Sequence, residues 1–209
     1  MKTLTVLSLE NLVLLPAVSL VVAALIVFLV RWHPRSLGRR TLRLAGVAAL
    51  GLLALAAAAG SYFTFTVHRV LEQRVAQLSF QLLADGSVHR VRDYAGNVVV
   101  VNYWATWCPP CRQEMPALSR LADVYRGRGV VVVTVSDEPK PRLDRYTRAN
   151  DLHTLSGTFH DEAPAGAIAH IAYQGRPATF VLDRQGHLRR FLVGSRTFAA
   201  FDDLVRSYL

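Results

Sequence analysis

The residues best suited to chemistry are Cys108 and Cys111, the only two cysteines among 209 residues, in Asn102-Tyr-Trp-Ala-Thr-Trp-Cys-Pro-Pro-Cys-Arg-Gln-Glu-Met-Pro116. Thiols at this spacing can close and reopen a disulfide. A thiolate at the first attacks a disulfide of another molecule, and the second resolves the mixed intermediate. Such chemistry needs a lowered thiol pKa, and the flanking residues supply the setting. Val98 to Val101 reads as a buried strand, the next residues as a short loop, and Pro109 onward as a helix. Cys108 then stands at a helix N-terminus, where unpaired N–H groups and the helix dipole favour the thiolate. A free thiol of pKa about 8.5 falls to roughly 3.5–7.5 in such places.

Three other uses compete. A structural bridge closing so short a loop contributes only roughly 2 kcal/mol. Zinc requires two further ligands, and there is no second Cys-x-x-Cys and no His-x3-5-His; His153, His160, His170 and His187 are scattered. Two unreactive buried thiols are the third use. The Trp-Cys-x-x-Cys sequence at a strand–loop–helix junction favours exchange over all three. No metal or other cofactor is expected.

The rest of the chain must hold this junction and place it in a compartment. The hydrophobic fraction is 52%. Leu12 to Val30 and Leu44 to Val67 contain no charged residue, and each is near the ~20 residues that span a bilayer. Residues 1–67 therefore read as a membrane anchor of two transmembrane helices, about 12–30 and 44–67. The intervening segment 31–43 carries Arg31, Arg35, Arg39, Arg40 and Arg43, which supply much of the formal charge of +9. Short basic loops stay cytoplasmic. Everything after Val67 then faces the periplasm or cell exterior of a bacterium, where a disulfide persists. Ala57-x-Ala59 ahead of Gly60 also resembles a signal-peptidase site, an alternative in which the remainder is released. Beyond His68 the arginines are dispersed among acids, which excludes a nucleic-acid footprint.

Residues 68–78 read as an exposed amphipathic linker. A hairpin around Asp85-Gly86 follows, then a turn at Asp93 to Asn97 leading into the strand at Val98. Gly127 and Gly129 end the cysteine helix, and Val130 to Val135 is a second apolar strand. Pro139 to Asn150 has helix length, Thr154 to Phe159 reads as a short strand and Ala163 to Ile171 as a short helix. Strands at 177–183 and 187–193 flank a turn at Arg184 to Gly186. Thr197 to Tyr208 closes the chain as a helix with Phe198, Phe201, Leu204 and Val205 on one face. This order indicates an α/β domain with a mixed sheet flanked by helices.

Residues 79–209 resemble the thioredoxin-like domain of membrane-anchored TlpA/ResA-type proteins. The resemblance is carried by Asp85-Gly-Ser87, Val101 to Pro116, the Val133-Thr-Val-Ser136 strand end and Gly175-Arg-Pro-Ala-Thr-Phe-Val-Leu-Asp183. It implies a thioredoxin-like fold, with Cys108 as the attacking, more exposed thiol and Cys111 as the resolving one. Pro177 would be the cis-proline that lies against the disulfide. Trp107 would shield the disulfide and offer a flat surface to partner chains. The buried Asp of cytosolic thioredoxins, six residues before the first cysteine, is Asn102 here, which cannot titrate. ResA-type relatives have a glutamate near the active site at the position of Glu114, one helical turn past Cys111. An exposed helix carboxylate is the alternative there.

The resemblance implies a membrane-tethered thiol–disulfide oxidoreductase that reduces disulfides of partner proteins, for example in cytochrome c maturation or copper-site assembly. Its electrons would come from a transmembrane donor of the DsbD/CcdA kind. A peroxide-reducing relative is disfavoured, because no Pro-x-x-x-Thr-x-x-Cys arrangement precedes Cys108. A copper-binding assembly module using the same two thiolates is the alternative from another class, and it lacks an assignable histidine.

Overall fold

The computed structural model describes residues 37–160 and 175–209. The expected first span, 12–30, and the expected helix over 163–171, with His170, lie outside the described residues. Contacts divide the chain into two units, Met1–Arg69 and Val70–Leu209.

Helix α1 runs unbroken over Leu37–Ala76. Within it, Leu44–Ala76 is long and apolar enough to cross a membrane. Its Leu44, Leu52, Leu53, Leu55 and Phe63 are exposed, as lipid-facing side chains would be. The helix exceeds the expected span at both ends. It begins inside the segment read as loop, and it continues through most of the segment read as linker.

That linker is not an exposed stalk. Leu71, Val75 and Leu78 form an apolar stripe at helical spacing, and Val75 and Leu78 are fully buried in the second unit's core. No proline or glycine lies between Ser61 and Gln77, so no breaker stops the helix short of Ala76.

The second unit contains strands β1 Ser79–Leu82, β2 Val88–Arg90, β3 Val98–Tyr103, β4 Val130–Ser136, β5 Leu155–Phe159, β6 Ala178–Leu182 and β7 Leu188–Val193. Helices α2 Pro109–Val124, α3 Lys140–Ala149 and α4 Phe198–Arg206 join them, and a 3-10 turn over Val91–Tyr94 precedes β3. The sheet order is β2-β1-β5-β4-β3-β6-β7. The pairs β3–β4 and β4–β5 are parallel, and the others are antiparallel. This is a mixed sheet flanked by helices, as the sequence led us to expect.

Strand β3 is buried along its whole length, which explains an apolar run rather than an alternating one. Its side chains still alternate between faces. Val99, Val101 and Tyr103 join the layer containing Val75 and Leu78. Val98 and Val100 join the layer containing Met115, Leu118, Leu143 and Phe201. The same alternation directs the next residue, Asn102, toward α2. Helix α2 ends at Val124, followed by Gly127 in the left-handed region, with φ of 68°.

Candidate functional site

The loop between β3 and α2 delivers Cys108 to the position just before α2. Cys108 is the helix N-cap, and its Sγ accepts from the Cys111 backbone N–H at 3.3 Å. Pro109 and Pro110 occupy the first turn, where a missing N–H costs nothing and a fixed φ suits the helix. The two cysteines are joined as a disulfide. Cys111 is fully buried and Cys108 retains 4% exposure, so the outer sulfur is the one expected to attack. Trp107 beside it is 62% exposed.

Glu114 is not the exposed helix carboxylate of the alternative reading. It is buried, one turn past Cys111, and faces Asn102 across the sheet–helix interface. Asn102 Nδ2 donates to Glu114 Oε1 at 2.7 Å and to Thr179 Oγ1 at 2.9 Å, and the Arg196 N–H donates to Glu114 Oε2 at 3.0 Å. Burial pushes the Glu114 carboxyl up from 4.5 to about 7, against the opposing hydrogen bonds from Arg196 and Asn102. A group poised there can take and return a proton near neutrality. Asn102 Oδ1 is buried and has no partner among the described residues.

Pro177 is buried and follows a cis peptide bond to Arg176. Its carbonyl accepts from the Gly194 N–H at 2.8 Å. Strand β6 begins one residue later, and its Thr179 pairs with Asn102 in the sheet register. The proline strand and the Glu114 network are therefore mechanically joined.

Sequence reasoning missed two gripping interactions. The Glu138 carboxylate accepts from Thr106, two residues before Cys108, and Asp137 holds Arg176, the residue before Pro177. One signal for them exists. Both acids follow the C-terminal end of a central parallel strand, the end at which open α/β sheets bind ligands. Among the described residues, no group of three or more His, Cys, Asp or Glu stands together to hold a metal.

The AhpC/TSA family model matches residues 72–191. The chain is 29% identical over 114 residues to "Thiol-disulfide oxidoreductase ResA" of Geobacillus thermodenitrificans, covering 54% of this chain and 64% of that one. It is 32% identical over 126 residues to "Thioredoxin-like protein YneN" of Bacillus subtilis, covering 60% and 72%. The match to the ResA relative thus spans a little under two thirds of its length. Among solved structures, a thiol:disulfide interchange protein of the thioredoxin family from Chlorobium tepidum superposes with a TM-score of 0.56 at 26% identity, covering 64% of this chain and 95% of that one. The matched segment contains the cysteine helix, the buried glutamate and the cis-proline, and on it the chain belongs to the thioredoxin-like AhpC/TSA family.

Proposed function

We propose that this chain is a membrane-tethered thiol–disulfide oxidoreductase that reduces disulfides of partner proteins on the extracytoplasmic side of a bacterial cytoplasmic membrane. The observation that carries the reading is a Cys108–Cys111 disulfide at a helix N-terminus with buried Glu114 one turn behind it.

In the reduced protein the Cys108 thiolate attacks one sulfur of a substrate disulfide, and the other substrate sulfur leaves as a thiolate. Cys111 then gives its proton to the Glu114 carboxylate and attacks Cys108 Sγ, which expels the second substrate thiolate. The substrate has gained two electrons, and the Cys108–Cys111 disulfide has reformed. By the resemblance to TlpA/ResA-type proteins, Pro177 and Trp107 are assigned the task of orienting the incoming chain at the outer sulfur.

Each further turnover needs two electrons from outside this domain. The membrane anchor contains no cysteine, so the donor is a separate transmembrane thiol protein of the DsbD/CcdA kind. Haem-binding cysteines of an apocytochrome c, or the cysteines of a copper-site protein, are the substrates that the resemblance to TlpA/ResA-type proteins implies. The five arginines of segment 31–43 support an extracytoplasmic domain by the positive-inside rule.

Trapping tests the reading. Cys111→Ser leaves the mixed disulfide unresolved and accumulates covalent complexes with partner proteins, whereas Cys108→Ser accumulates few. Equal trapping by both variants overturns the assignment. Anaerobic copper(I) titration that finds tight stoichiometric binding, with no disulfide reduction, would favour the copper-assembly alternative.

A further inference from the structure

A second set of contacts holds the loops that carry Cys108 and Pro177 and is not used by the exchange steps above. Strand β4 ends at Ser136, and the next two residues are Asp137 and Glu138. Glu138 is 7% exposed. Its carboxylate accepts from the Thr106 backbone N–H at 2.6 Å and from the Thr106 hydroxyl at 2.7 Å. Arg142 Nη1 stands 3.3 Å from the same carboxylate. Asp137 Oδ2 accepts from Arg176 Nη2 at 2.7 Å and from the Tyr103 hydroxyl at 2.9 Å.

These adjacent acids grip two different loops. Thr106 belongs to the loop that carries Cys108. Arg176 belongs to the loop that carries Pro177, and it also bonds the Tyr103 hydroxyl. Its guanidinium lies over the Trp107 ring at 5.0 Å and over the Tyr103 ring at 4.3 Å. The Arg176–Trp107 contact therefore closes a ring: Glu138 to Thr106, Thr106 to Trp107, Trp107 to Arg176, Arg176 to Asp137.

A buried carboxylate carries a desolvation cost that an apolar side chain would avoid. What it supplies is direction. Two charge-assisted bonds fix both the peptide plane and the hydroxyl of Thr106, and with them the approach of the chain to Cys108. Small displacements of reacting groups change exchange rates steeply.

We propose that Asp137 and Glu138 are paired positioning residues for disulfide exchange. Glu138 fixes the Cys108 loop through Thr106, and Asp137 fixes the Pro177 loop through Arg176. Together they set the gap in which a partner's cysteine meets Cys108. The inference rests on the exchange reading of the site.

The two halves predict different losses. Asp137 acts on the rim that a folded or extended protein chain must cross, so its loss weakens protein substrates and spares small disulfides. Glu138 acts on the placement of Cys108 at the helix N-terminus, so its loss affects every disulfide and the ionisation of the Cys108 thiol.

The test uses the full chain in detergent micelles, with insulin and glutathione disulfide as substrates. Iodoacetamide alkylation of Cys108 is followed against pH in a Cys111→Ser background. Asp137→Asn should raise KM for insulin about tenfold and leave glutathione disulfide within about twofold of the parent. Glu138→Gln and Thr106→Val should each slow both substrates about tenfold, and Thr106→Val, which leaves the carboxylate charge in place, should move the alkylation midpoint to higher pH. Thr106→Ser keeps both donors and should behave as the parent. The Glu138→Gln/Thr106→Val double variant should be no worse than Glu138→Gln alone, since the hydroxyl bond that Thr106→Val removes is one of the two that the Glu138 carboxylate accepts.

Parent-like rates and midpoints overturn the proposal. So do equal losses on both substrates in Asp137→Asn, or additive losses in the double variant. Where Glu138→Gln fails to fold, Thr106→Val carries the test of the same contact. A parent that reduces neither disulfide refutes the exchange reading itself, while the alkylation midpoints still decide whether Glu138 positions Cys108.

Discussion

Asn102 Nδ2 donates to Glu114 Oε1 across 2.7 Å, tying the central strand to the cysteine helix where both side chains are buried. The position that carries a buried aspartate in cytosolic thioredoxins here holds a neutral donor. The titrating carboxyl sits across from it, on the helix that carries both cysteines. The proposed proton acceptor thus lies on the helix and its hydrogen-bond donor on the strand.

Glu114 should give the exchange reaction an inflection near its pKa of about 7, above which it is a carboxylate able to accept the Cys111 proton. Glu114→Gln should lose that inflection and slow resolution by about 10² to 10⁴. Stopped-flow reduction of a disulfide across pH 5–9 measures both, and an unchanged pH–rate profile refutes the role.

The same shift predicts a slope in stability. The folded protein holds the Glu114 proton to about pH 7, whereas the unfolded chain releases it near 4.5. Stability is therefore full below the lower value and falls as pH rises through the window, by roughly 3 kcal/mol in total. Denaturant titrations of the parent should show this decline, and Glu114→Gln should lack it. A parent whose stability rises with pH across the window contradicts the burial argument.

Asn102→Asp should place two carboxyls at hydrogen-bonding distance, where only one ionises readily. The variant is expected to be less stable than the parent by roughly 2 kcal/mol or more at pH 8, and to recover toward pH 5 as a proton is shared. Equal stability at both pH values would mean that the pair relaxes apart.

Gly157 lies where β5 meets β1, and a Cβ there would stand 2.7 Å from the Gln81 carbonyl oxygen and 3.0 Å from a Phe80 ring carbon. Backbone cannot yield as a side-chain tip can, so Gly157→Ala should cost about 1–3 kcal/mol. Thermal unfolding checks this, with exchange activity expected to persist below the new transition.

Alkaline phosphatase fused after Leu209 should be active, and a fusion within residues 31–43 inactive. The reverse pattern would put the cysteines in a reducing compartment and remove the proposed function.

Much of the site could be read in the chain because its determinants are local. The apolar run Val98 to Val101, the Pro109-Pro110 helix start and the Cys108/Cys111 spacing fix strand, cap and disulfide within a few residues. The alternation of β3 even fixes which face Asn102 presents. The same local reading failed at residues 68–78. Their apolar stripe was legible, but only the packed sheet shows that Leu71, Val75 and Leu78 have a core to enter.

The sequence by itself determined the candidate cysteine pair, the mixed α/β order and the candidate proline, since each rests on residue type and near-neighbour spacing. Tertiary structure decided what depends on distant segments meeting. Glu114 is buried because Asn102 and the Arg196 backbone, 12 and 82 residues away in sequence, close around it. Its pKa follows from that enclosure, because the cost of ionisation depends on the water removed by the fold. Asp137 and Glu138 read as ordinary loop acids until parallel strands bring the ends of β3 and β4 side by side and set Thr106 and Arg176 against them.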